Sequence, residues 1–308
     1  MKRKPTLRRT TLTAGLMALG LFTAACGSDD GGETTTGGEG NGGEGGGTVT
    51  LGIIPSWTDG LSTAYLWQNV LEQEGYTVEI QEIAEAAPLY TGVANGDIDI
   101  YPSAWPEVTH ASYMEEYGDD LEDLGAYYEG AKLTFAVPEY TDISSIEDLK
   151  GSADMFDGKI TGIEPGAGLT QVTKENVIPT YELGDEYQLV ESSTTAMLAE
   201  LQKAVDREED IVVTLWRPFW ANSEFPVKDL EDPEGALGEP ETLNAIATAG
   251  FSDENPDVAE MFANFKLSDE EYGSLENLVV NEYGEGEEPQ AIEAWLEENP
   301  DFIEGLKG

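Results

Sequence analysis

Between residues 49 and 117 the chain alternates short apolar runs with amphipathic stretches, and that alternation leaves few folds open to it. Residues 49–54 form a β-rich apolar run, and 59–74 carry Leu61, Ala64, Leu66, Val70 and Leu71 at helical spacing before Gly75 stops them. Residues 77–83 alternate as a strand through Val78 and Ile80. Pro88 suits a first helical turn and Gly96 an end. A further strand is predicted at 98–101, followed by Trp105 and by a helix opening at Pro106 and running to about Tyr117. The order β-α-β-α-β-α predicts a parallel sheet in an α/β fold.

A second unit of the same kind follows the apolar run 133–137. Residues 144–147, Ser-Ser-Ile-Glu, read as a capping box. A strand at 159–163 leads into the turn Gly166-Ala167-Gly168, then a helix at 169–178 whose end Pro179 marks. A strand at 187–190 precedes an amphipathic helix containing Met197, Leu198, Leu201, Ala204 and Val205, and a buried-type strand at 211–215 ends at Trp216. Two lobes follow, the chain crossing between them near 138 and near 220. Lobe I comprises 48–138 plus 221–308 and lobe II 139–220, with the acidic helices after Pro256, which hold Met261, Phe262 and Trp295, wrapping back on lobe I.

The first 26 residues read as an export signal: basic residues from Lys2 to Arg9, an apolar core from Leu12 to Ala25, then Cys26. Thr23-Ala24-Ala25-Cys26 resembles a lipoprotein processing site, so Cys26 is expected to carry the lipid. The Arg8-Arg9 pair leaves the export route open between twin-arginine and general. Residues 27–47 hold eleven glycines and no apolar residue, the composition of a flexible tether. Beyond Cys26 there is no cysteine, which excludes disulfides and thiolate metal sites, and one histidine, His110, cannot build a metal site alone. All 62 acidic residues but only ten of the fifteen basic ones follow the signal, a formal charge of −52. Nucleic acid is not an expected partner.

Trp57 follows the strand 49–54, Trp105 follows 98–101, Gly168 follows 159–163 and Trp216 ends 211–215. In open parallel sheets ligands bind beyond the carboxyl ends of the strands, so these positions should converge on a cleft between the lobes. Three indoles around one space suit a quaternary ammonium, which has no N–H to donate and is held by the negative faces of aromatic rings. At ~2 kcal/mol for each desolvated cation–π contact, three supply ~6 kcal/mol, short of the ~8 kcal/mol that micromolar binding needs. A second anchor is therefore required. The turn before Leu169 offers backbone N–H groups at a helix start, and His110 offers another donor, stronger if protonated. A cation cage beside an anion seat describes a betaine.

Four passages resemble the glycine betaine-binding proteins of ABC importers: Asp97 to Trp105 with Thr109-His110, Ile160 to Gly168, Ala196 to Leu201, and Thr214 to Trp220. The resemblance runs over essentially all of 48–308. It implies a two-lobed periplasmic-binding-protein fold, type II-like, closing over its ligand at the extracytoplasmic face of the cell membrane and handing it to a permease and ATPase. By the same resemblance the three tryptophans match a trimethylammonium prism, and His110 with the amides of Gly168 and Leu169 match the carboxylate contacts. Phe219 stands where relatives often carry histidine, and Pro106 where leucine before proline is usual. Trp67, Trp220 and Trp295 are expected in packing. Arg217 either pairs with an acidic surface or guides the carboxylate.

No cofactor, metal or catalytic residue is expected: a glycosidase would need a selected pair of carboxylates, and none stands out. Glycine betaine and proline betaine both fit the constellation; choline or carnitine is the alternative ligand, and a sensor lipoprotein the alternative role. The acid excess resembles that of proteins adapted to high salt, where a Debye length of ~3 Å at 1 M screens self-repulsion. Residues 48–308 should therefore unfold at a higher temperature in molar salt than in low salt. A flat or falling midpoint would contradict this reading.

Overall fold

The computed structural model describes residues 46–308; the export signal, Cys26 and nearly all of the tether lie outside the described residues. In chain order the elements are β1 (Thr48–Ile53), α1 (Thr58–Gln73), β2 (Thr77–Glu82), α2 (Ala86–Ala94), β3 (Ile100–Ala104), α3 (Ala111–Tyr117) and the long β4 (Leu121–Pro138). Next come β5 (Lys159–Thr161), α4 (Gly168–Val172), α5 (Ile178–Thr180), β6 (Gln188–Val190), α6 (Thr194–Arg207), β7 (Val213–Arg217), α7 (Ala221–Glu224) and β8 (Val227–Asp229). The chain finishes with β9 (Glu241–Thr248), α8 (Phe251–Glu254), α9 (Pro256–Asn264), α10 (Asp269–Asn277), α11 (Glu288–Glu298) and α12 (Phe302–Leu306).

The strands lie in the order β2-β1-β3-β9-β4-β7-β5-β6, with β8 also on β4. As the alternation predicts, β2-β1-β3 are parallel, and so are β6-β5-β7. The two parallel groups are joined through antiparallel β9 and β4. Strand β4 serves both: residues 121–131 pair with β9, and 132–138 pair with β7 and β8. Neither β9 nor the first half of β4 is apparent in the sequence. Gly125 and Gly130, both at positive φ, interrupt the alternation in β4 where its register with β9 shifts. β9 is buried along most of its length, so it has no polar face to alternate with.

The terminal helices cover the β1–β3 side, as expected. Trp67 of α1 stacks on Phe262 of α9 with ring centroids 3.7 Å apart and meets Phe265 edge-on, while Trp295 of α11 packs edge-on against Phe302. Both tryptophans are fully buried, as packing residues should be. Three local expectations are corrected. The helix predicted to open at Pro106 begins only at Ala111, because the Glu241 carboxylate takes the Thr109 amide that such a helix would bond to the Trp105 carbonyl, and that carbonyl takes the His110 amide instead. The capping box is Ser145 with Asp148, one residue later than 144–147, and starts a short 3-10 turn. The helix after Gly168 passes through a π turn at Thr173–Val177 and takes Pro179 into its last turn, so proline does not end it at 178.

A buried carboxylate ties the terminal helices to the middle of the molecule. Glu276 of α10 accepts from the Thr58 hydroxyl at the start of α1. Burial, reinforced by the charge of Asp59, pushes its pKa up to about 8. In the unfolded chain an ordinary glutamate loses its proton near ~4.3. Between these values the folded state holds a proton that the unfolded state has released, so this group's stabilisation is complete at low pH and is lost as pH rises toward 8. Over this range the buried, neutral His110 pulls more weakly the other way, because unfolded histidine is half protonated at about pH 6.5 and gives up the remainder by about pH 8. Chemical denaturation of the ligand-free protein should show stability falling between pH 6.5 and 8, and Glu276→Gln should flatten that fall. An equal fall in the variant would place the titration elsewhere.

Candidate functional site

The six positions singled out for ligand contact meet at one cavity of about 350 Å³, part of it open to solvent. Trp57 lies in the turn after β1 and Trp105 directly after β3, as predicted. Trp216 is inside β7 rather than beyond it, paired with Leu133 of β4, which also lines the cavity. It is held there by ladder hydrogen bonds and backed by Phe219, whose ring stacks on its own at 4.1 Å and 24°. Phe219, where relatives often carry histidine, therefore touches a cavity wall from behind rather than only the cleft rim. All three indoles are buried to within 8 % exposure, so a cation among them is desolvated.

Two of the indoles are oriented by buried acids. Trp105 Nε1 donates to Asp59 Oδ2 at 3.1 Å, and the same oxygen takes the Ser103 hydroxyl at 2.5 Å, Ser103 being bonded in turn to Tyr127. Trp57 Nε1 donates to Glu164 Oε2 at 3.3 Å. Fixing each N–H at a carboxylate fixes the ring plane and therefore which face looks into the cavity. Asp59 itself lines the cavity, fully buried. Burial raises its pKa, while the hydrogen bonds from Ser103 and Trp105 act against that. A cation placed in the cage would favour its ionised form further.

His110 sits opposite, its ring 5.9 Å from Trp57 and nearly parallel to it. Its Nδ1 receives the Trp105 backbone N–H at 3.1 Å and lies 2.9 Å from the Tyr90 hydroxyl. A backbone N–H can only donate, so Nδ1 carries the lone pair and the neutral ring's proton is on Nε2. Burial lowers the histidine pKa to about 3. The donor it offers is therefore a neutral Nε2–H, and the stronger, protonated form is not the one held at neutral pH.

Gly168 and Leu169 open α4, where first-turn amides have no intrahelical acceptor. The approach there requires glycine: a Cβ on Gly168 would fall 1.7 Å from the Thr109 carbonyl oxygen. Thr109 is itself clamped by Glu241, so this carbonyl cannot simply move away. No lysine or arginine lines the cavity among the described residues. Arg217 is instead engaged by Asp229 through Nε at 2.7 Å and Nη2 at 2.9 Å, which settles it as a structural ion pair. An anion here meets only dipoles, and a cation meets ring faces and Asp59. Two full charges 4 Å apart interact by ~4 kcal/mol at an effective dielectric near 20, so an arginine at the anion seat would repel a neighbouring ammonium. The chemistry suits a compact zwitterion.

The sequence pattern does not point to Asp59, to Glu164 or to the Tyr90 support of His110. Asp59 stands two residues after Trp57 and Glu164 within the Glu-Pro-Gly turn, but in a chain with 62 acids nothing marks these two out.

Comparison with known proteins agrees with this geometry. Residues 47–298 match the family model of the substrate binding domain of ABC-type glycine betaine transport systems. The chain is similar to the glycine betaine/carnitine transport binding protein of Listeria monocytogenes, 34% identical over 165 residues, 53% of this chain and 53% of that one; the match thus spans about half that relative's length. Among solved structures it resembles the glycine betaine, L-proline ABC transporter binding protein of Borrelia burgdorferi, with TM-score 0.79 and 33% identity over 85% of this chain and 97% of that one. It also resembles lactococcal OpuAC in its closed form complexed with glycine betaine, with TM-score 0.78 and 28% identity over 85% and 99%. The fold is thus the two-lobed binding-protein fold with its ligand cleft between lobes, and the chain belongs to the family of substrate-binding domains of ABC-type glycine betaine transport systems.

Proposed function

We propose that this protein captures glycine betaine or proline betaine outside the cytoplasm and delivers it, chemically unchanged, to an ABC permease and its ATPase for osmoprotective uptake. The observation that carries the reading is the pairing of three buried indoles with an anion seat made only of neutral donors in one cavity. In it, Trp57, Trp105 and Trp216 surround the trimethylammonium, and His110 Nε2–H with the Gly168 and Leu169 amides receives the carboxylate. Family membership supports the transport role.

The sheet pairing supports lobes divided between Ala131 and Lys132 on the way out and between Asp229 and Glu241 on the return, in place of 138 and 220. Cys26, acylated, anchors the domain to the extracytoplasmic membrane face through the glycine-rich tether. Both belong to the proposal.

One observation favours a second reading. Asp59 in the cavity wall supplies a countercharge that a net cation such as choline needs more than a zwitterion does. Calorimetric titration with glycine betaine and with choline separates the two. Betaine should bind at micromolar or tighter affinity and choline at least about a hundredfold more weakly, because choline leaves the anion seat unfilled. Trp105→Ala should weaken betaine by about thirtyfold, the loss of ~2 kcal/mol. Choline binding as tightly as betaine would reject the carboxylate seat.

A further inference from the structure

Glu164 does more than orient an indole. It lies on the β5–β7 side of the molecule, just after β5, and is buried at 5 % exposure. Two of its four hydrogen bonds come from its own side: Thr194 at the start of α6 donates its backbone N–H to Oε1 at 2.9 Å and its hydroxyl to Oε2 at 2.9 Å. The other two come from across the cleft. The Ser56 hydroxyl donates to Oε1 at 3.1 Å and Trp57 Nε1 to Oε2 at 3.3 Å, both from the turn that follows β1. Each carboxylate oxygen therefore holds one donor from either side.

The division has a mechanical consequence. Thr194 fixes the carboxylate on its own side however the cleft stands, and the first turn of the 14-residue α6 favours negative charge there. Ser56 and Trp57 can reach it only when the two sides meet. Among the described residues, the remaining side-chain hydrogen bonds across the cleft, Tyr113 to the Gly166 carbonyl and Ser112 to Gln171, involve no wall of the cage. At Glu164, closure of the molecule and orientation of a cage indole are the same event.

We propose that Glu164 is a positioning residue that latches the closed form by pinning Trp57 across the cleft, and so sets how long a quaternary ammonium ligand stays bound. The proposal rests on the reading of Trp57 as a cage wall. An open molecule does not make these bonds when it first meets ligand, so the latch acts on escape and leaves capture alone.

Stopped-flow tryptophan fluorescence with glycine betaine tests this on the wild-type protein, Glu164→Gln and Ser56→Ala. Glu164→Gln should dissociate at least about tenfold faster, the scale of a lost charge-assisted hydrogen bond, with association within about twofold of wild type. Ser56→Ala, which leaves Thr194 and Trp57 on the carboxylate, should shift dissociation in the same direction by less. Unchanged dissociation in either variant would overturn the proposal. So would a loss of affinity lying in association, or a drop in the melting temperature of the ligand-free protein that matches it, since those mark a purely structural role. Wild type failing to bind betaine would instead overturn the cage reading on which the proposal rests.

Discussion

Two of the three indoles that face the cavity give their N–H to a buried carboxylate, and much of the molecule serves to make that possible. Asp59 can hold Trp105 because the turn into α1 and the end of β3 lie side by side, and the same carboxylate oxygen takes the Ser103 hydroxyl, which Tyr127 holds in turn. Glu164 can hold Trp57 only because the other half of the molecule comes up against the turn after β1. Buried acids are costly unless paired or hydrogen-bonded. Here each is fed by donors that also have to stay put for the site to exist, so the stability of the acids and the shape of the cage depend on each other.

The same economy holds on the opposite wall. His110 is neutral, and its single proton is directed into the cavity because Nδ1 is already occupied by the Trp105 amide. The residue that sets one indole's backbone thereby sets the tautomer of the anion donor. Glu241 clamps the Thr109 amide and Gly168 admits the Thr109 carbonyl at closest approach, so the loop 105–110 is fixed from β9 on one side and from α4 on the other. A surface carrying most of 62 acids can coexist with this because the few acids that matter chemically are the ones withdrawn from water.

Much of this architecture is legible in the order of the residues. The alternation of apolar runs and helices yields the two parallel strand groups, and the rule that ligands lie beyond strand ends brings Trp57, Trp105, Gly168 and Trp216 to one place, with His110 and Leu169 added by donor chemistry and family resemblance. What escapes is whatever depends on a partner distant in sequence. The turn 106–109 looks helical because nothing local reveals that Glu241, more than 130 residues on, takes its amides. Strand β9 and the first half of β4 lack alternation, one being mostly buried and the other broken at two glycines. Asp59 and Glu164 are hidden by abundance, and only position separates them from the other carboxylates.

The central claim is that the cage reads positive charge and not merely a trimethyl shape. Calorimetry with 3,3-dimethylbutyrate, in which a quaternary carbon replaces the nitrogen of glycine betaine while the carboxylate stays, isolates that one variable. With the anion seat satisfied in both ligands, the account predicts affinity for the carbon analogue at least about a hundredfold weaker, through loss of the cation–π terms and of the attraction to Asp59. Equal affinity for the two would mean that the three tryptophans form an apolar pocket, and that the cation has no part in recognition.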